Sequence, residues 1–89
     1  MDSSVPIKQQ IKELMVKQLN LSKRPEEILD DMPLGLNGLD LDSIDYLELV
    51  IGVEKQFGIK ITDEDLKEAE KIFRSINTLS SFIEKRLAK

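Results

Sequence analysis

Leu39-Asp40-Leu41-Asp42-Ser43-Ile44-Asp45-Tyr46-Leu47-Glu48-Leu49-Val50 opens as a loop and closes as a helix, with one serine at the join. Asp42 is a good helix N-cap, and an acid at Asp45 suits the positive end of the helix dipole. Ser43 is therefore expected in the first turn, where a hydroxyl stays reachable from solvent. An Asp-Ser pair before a helix is, by itself, an ordinary cap. Any further role for Ser43 has to come from the residues around it.

Working forward, the spacing predicts a helix from Ser43 to Phe57. At roughly 100° per residue, Leu47, Leu49, Val50, Val53 and Phe57 share a broad inward side. Ile44, Asp45, Glu48, Ile51 and Lys55 fall on the outward side or its edges. Single exposed apolar residues are ordinary. Two isoleucines beside Glu48, one turn from Ser43, read as a docking surface. Gly52 in mid-helix costs about 1 kcal/mol relative to alanine, so a close neighbour is expected there. Gly58 suits the position just past the helix end.

Asp42-Ser43-Ile44-Asp45, followed by Leu47-Glu48-Leu49-Val50, then Glu54 and Phe57-Gly58, resembles the acyl carrier protein family. The likeness runs from about Ile7 to Ile83. In that family an Asp-Ser-Leu motif opens the second helix, and its serine carries 4'-phosphopantetheine; here Ile44 stands for the leucine. The resemblance implies that Ser43, preceded by Asp42, is the attachment site. It also implies that the terminal thiol of the arm holds acyl groups as thioesters. Two departures stand out. Lys55 and Gln56 occupy positions where fatty-acid carriers continue their acids, and the segment from Thr62 to Arg74 is longer than usual. A carrier dedicated to a secondary, polyketide-type pathway fits as well as a fatty-acid carrier. An aminoacyl or peptidyl carrier, and a helical interaction module with no prosthetic group, are the alternatives.

Composition narrows the classes. A chain of 89 residues is expected to form one domain, residues 1–89, with a thin core. It has no cysteine and no histidine, which removes the thiolate nucleophile, the zinc-thiolate site and the usual general base. No enzymatic activity is expected. The start Met1-Asp2-Ser3-Ser4 lacks the basic flank and apolar core of a signal peptide, and no apolar run reaches membrane-spanning length. A cytoplasmic monomer with no membrane partner follows as the expectation. Residues 26 to 54 carry nine acids and no lysine or arginine, although the net charge is only −4. That sign opposes nucleic-acid binding and favours basic protein partners. The resemblance names them: a phosphopantetheinyl transferase and acyl-transfer or chain-elongating synthase enzymes. Asp45 and Glu48, with Ile44 and Ile51, are the expected docking residues.

The rest of the chain reads as helices around the quoted stretch. Ser4-Val5-Pro6 suits a helix start, with serine near the cap and proline in the first turn. Ile7, Ile11, Leu14, Met15 and Leu19 form an apolar stripe ending near Asn20. A long loop runs from Asn20 to Leu41, and its Leu29, Met32, Leu34, Leu36, Leu39 and Leu41 are expected to pin it onto the bundle. Ile59 to Thr62 is an extended link. Thr62 and Asp65 approximate a capping box for a short third helix, Asp63 to Lys71. Ser75 caps a fourth helix with Ile76, Leu79, Phe82, Ile83 and Leu87 as its stripe. The expected fold is an all-α, small four-helix bundle with three longer helices, one short third helix and a long first loop.

Other chemistries fail on inspection. Asn37 to Glu48 has the length of a calcium loop, but Leu39 and Leu41 occupy ligand positions. The acids of Asp63 to Glu70 match Lys67 and Lys71 as helix-surface pairs. No phosphate-binding Gly-Lys-Ser/Thr loop is present. For the acyl cargo, the seam between the second and third helices is the expected pocket. Val50, Val53, Ile61, Leu66, Ala69 and Phe73 are its expected lining, with Leu66 and Ala69 turned inward.

Overall fold

The computed structural model describes residues 5–35 and 38–88. Helix α1 spans Ile7–Gln18, α2 Ser43–Phe57, α3 Asp63–Leu66, α4 Ala69–Ile72 and α5 Ile76–Leu87, with a 3₁₀ turn at Pro25–Glu27. Among the described residues there is no strand.

Each long helix contributes its stripe to one core. Ile11 and Met15 of α1, Leu49 and Val53 of α2, and Ile76, Leu79 and Ile83 of α5 are fully buried. Each such side chain contributes about 1.5–3 kcal/mol when removed from water. Gly52 lets α1 approach α2: a Cβ there would lie 3.2 Å from Leu14 Cδ1. Gly58 ends α2 at φ 64°, a left-handed conformation that glycine adopts without strain. Asn20, at φ 55°, does the same after α1.

The long loop is tied down by its backbone. The Asn77 N–H donates to the Asp30 carbonyl at 3.0 Å, and the Leu34 N–H donates to the Arg74 carbonyl at 3.0 Å. Ile28 and Leu34 are fully buried, whereas Leu29 is exposed. The loop is therefore pinned as expected, but at Ile28 in place of Leu29; the expected contact of Leu36 lies outside the described residues. Gly38 allows the loop to fold on itself, since a Cβ there would sit 1.8 Å from the Pro33 carbonyl oxygen.

Three local expectations change. Pro6 occupies the N-cap of α1 and not its first turn; the expected cap at Ser4 lies outside the described residues. Leu47, assigned to the inward side, is 60% exposed, because the inward arc of α2 is centred on Leu49 and Val53. The third helix is two single turns, α3 and α4, parted at Lys67 and Glu68. No glycine or proline lies between them, so residue type alone does not account for the break. At one end the Asp65 carboxylate accepts from Arg86, which also donates to the Lys60 carbonyl at 2.9 Å and lies 4.7 Å over the Phe82 ring. At the other end Phe73 is anchored in the core.

Candidate functional site: the start of α2 and the adjoining cavity

The first turn of α2 is closed by a reciprocal pair. The Asp45 N–H donates to the Asp42 carboxylate at 2.9 Å, and the Asp42 N–H donates to the Asp45 carboxylate at 3.1 Å. Two helix-end donors are thereby satisfied without Ser43. Ser43 is exposed, and among the described residues its hydroxyl has no hydrogen-bond partner. The cap is made by the two aspartates, which leaves the serine free for chemistry.

A half-open cavity of about 480 Å³ lies between α2 and the α3–α4 segment, and Ser43 is among its lining residues. Tyr46, Leu47 and Val50 line it from α2, Leu66, Ala69 and Phe73 from the opposite wall. Pro33 and Gly35 close it from the long loop, and Glu70 and Arg74 add one charge of each sign. The surface is mostly apolar, the character of sites that take apolar ligands. Tyr46 and Phe73 meet edge to face with ring centroids 6.1 Å apart. Burial pushes the Tyr46 phenol above its ordinary pKa.

Of the six residues expected around the cargo, the structure brings Val50, Leu66, Ala69 and Phe73 together at this cavity. Val53 and Ile61 are not there. Val53 is fully buried in the core, and Ile61 is held beside α2 by its N–H, which donates to the Glu54 carboxylate at 2.8 Å. Leu66 faces the cavity as expected, yet it remains 43% exposed because the cavity is half open. Tyr46 and Leu47 were missed. The signal was available: Ser43, Tyr46, Leu47 and Val50 follow the i, i+3, i+4, i+7 spacing of one helix face.

The outward face of α2 holds Ile44 at 67% exposure, Leu47 at 60% and Ile51 at 41%. Leu47 turns the expected pair of apolar residues into a continuous row of three, with exposed Glu48 beside it. The acidic block around Ser43 divides by role. Asp30 pairs with Lys12 at 2.7 Å, and that contact, more than Lys8 at 3.8 Å, holds its carboxyl below the usual range. Glu27 accepts the Arg24 N–H and Glu54 the Ile61 N–H. Asp31, Asp40 and Glu48 are exposed without a pairing cation among the described residues.

Among the described residues no cluster of three or more metal-ligating side chains occurs, and no helix is long and apolar enough to cross a membrane. The profile of the family described as phosphopantetheine attachment site matches residues 9–83. An acyl carrier protein from Solidesulfovibrio magneticus is 34% identical over 80 residues, covering 90% of this chain and 94% of that one. This chain belongs to the acyl carrier protein family. It is a carrier and not an enzyme, and its prosthetic group is covalent 4'-phosphopantetheine. An acyl carrier protein from Wolinella succinogenes is 45% identical over 62 residues, covering 70% of this chain and 74% of that one. In fold, the carrier is similar to the solution structure of a holo acyl carrier protein from Nitrosomonas europaea. That TM-score is 0.80 at 20% identity, over 96% of this chain and 100% of that one.

Proposed function

We propose that Ser43 bears the phosphopantetheine arm and that the cavity between α2 and α3–α4 shelters the acyl cargo. The observation that carries this reading is the position of an exposed serine hydroxyl, unbonded among the described residues, in the lining of a mostly apolar cavity. When bound, the arm supplies a terminal thiol, the thioester-forming group that a chain without cysteine lacks. Asp42 and Asp45 hold the first turn rigid, so Ser43 is presented at a fixed place. Both carboxylates are committed to backbone N–H groups, so neither is poised as a base for Ser43. Activation of the hydroxyl therefore falls to a phosphopantetheinyl transferase.

Glu48, with Ile44, Leu47 and Ile51, forms the docking face. Charge on such a face sets association rate and salt dependence, while the apolar row supplies contact area. Partners with basic docking surfaces, the transferase and the synthase enzymes, complement it. Tyr46, Val50, Leu66, Ala69 and Phe73 hold the cargo, which gains about 0.8 kcal/mol per buried methylene. That lining supports fatty-acid or polyketide-type cargo over aminoacyl cargo. The test is intact and peptide-level mass after incubation with coenzyme A and a broad-specificity transferase, followed by loading with a medium-chain acyl group. Mass gain at Ser43, with slowed hydrogen exchange at Leu66 and Phe73 on loading, supports the reading. Mass gain at another residue contradicts it.

A further inference from the structure

Arg74 is held in place by three neighbours. Its backbone carbonyl accepts the Leu34 N–H at 3.0 Å. The preceding residue, Phe73, is buried against Tyr46, which lies one helical turn from Ser43. The following residue, Ser75, caps α5 and accepts the Thr78 N–H. The Arg74 backbone is thus rigid, while its side chain is exposed and lines the same cavity as Ser43.

Among the described residues no carboxylate forms an ion pair with the Arg74 guanidinium. Glu70, four residues earlier, would be its partner in a continuous helix. Helix α4 ends at Ile72, and that pairing is lost. Arg74 is also the one basic residue lining the cavity among the described residues. Its neighbourhood is otherwise acidic: Asp40, Asp42, Asp45 and Glu48 flank Ser43, and no lysine or arginine occurs between residues 26 and 54. A phosphodiester on Ser43 would add a further negative charge there. A guanidinium matches phosphate oxygens with two parallel hydrogen bonds, which a lysine does not reproduce.

We propose that Arg74 is the cation that engages the phosphodiester of the prosthetic arm, fixing the arm's first bonds at the mouth of the cavity. This rests on Ser43 bearing the arm. The pairing counters the local acidic field and directs the arm toward the cavity in place of solvent. Arg74 acts as a positioning residue, with no part in bond making.

The experiment compares apo and holo forms of the full chain by NMR, after intact mass of the wild type and Ser43→Ala has established that Ser43 carries the group. The expected result is a shift of the Arg74 side-chain Nε–Hε resonance on conversion to holo, and a ³¹P resonance that moves as salt is raised. Salt at roughly 1 M shortens the Debye length to about 3 Å and weakens an exposed pair. In R74Q the ³¹P resonance should become insensitive to salt, and R74K should recover only part of the effect. In Glu70→Gln the response should persist. An Arg74 resonance unchanged between apo and holo, with the same ³¹P behaviour in wild type and R74Q, overturns the proposal while leaving Ser43 as the attachment site. Absence of the mass gain at Ser43 overturns the reading beneath it.

Discussion

Tyr46 and Phe73 cross at 71° with their ring centroids 6.1 Å apart, joining the first turn of α2 to the segment that precedes α5. This contact forms part of the cavity wall and is also part of the core. Phe73 is only 3% exposed. Phe73→Ala should therefore cost about 3–5 kcal/mol, a large share of the stability of so small a domain. Urea unfolding measures it. A loss under about 1 kcal/mol would mean that the cavity wall is not structural.

Leu66 borders the same cavity while remaining partly exposed. Leu66→Ala should cost about 1 kcal/mol or less in stability, well below the loss at Phe73. Its larger effect should appear only with cargo. Hydrogen exchange around Ala69 and Phe73 should slow on acyl loading in the wild type, and less so in Leu66→Ala. Equal protection in both proteins would place the cargo elsewhere.

The proposed docking face separates charge from stability. Glu48 is exposed and has no pairing cation among the described residues, so Glu48→Lys should leave the melting temperature nearly unchanged and slow transferase modification most at low salt. Asp45 is different because its carboxylate closes the cap of α2. Asp45→Ala should cost about 1 kcal/mol before any docking effect is counted. Leu47→Ser should weaken modification with little salt dependence, since it removes apolar contact only. An unchanged rate in a Leu47→Ser/Glu48→Lys variant would remove this face from the account.

Asp65 ties α3 to α5 and should show in acid. The hydrogen bond from Arg86, and secondarily those from Thr62, outweigh burial and hold its pKa at about 2, below the ordinary 3.8. A carboxylate with a depressed folded pKa stabilises the fold fully above its unfolded value. That contribution fades as pH falls from about 4 toward 2, and amounts to about 1–2 kcal/mol after allowance for solvent screening. Asp65→Asn should therefore flatten the acid limb of a stability-versus-pH curve between those values. An identical acid limb in wild type and Asp65→Asn would show that the Arg86 pair contributes nothing.

Much of this was legible in the sequence because it is local. The α2 boundaries, the Asp42 cap, the Gly58 terminus and the Thr62–Asp65 capping box follow from residue type and spacing, and all four are present. What escaped depended on partners distant in sequence. The Asp65–Arg86 pair that ties α3 to α5 joins residues 21 apart in the chain, and the absence of Val53 from the cavity depends on how α2 is rotated against α1. Leu47 failed for a related reason. Periodicity gives the width of an apolar arc but not its centre, so a residue at the arc's edge is assigned to either side.

The most direct test of the central claim is intact mass of wild type and Ser43→Ala after incubation with coenzyme A and a broad-specificity phosphopantetheinyl transferase. Because Ser43 is exposed and makes no hydrogen bond among the described residues, the variant should melt like the wild type. The wild type should gain one phosphopantetheinyl group and Ser43→Ala none. A folded Ser43→Ala that still acquires that mass would contradict the account.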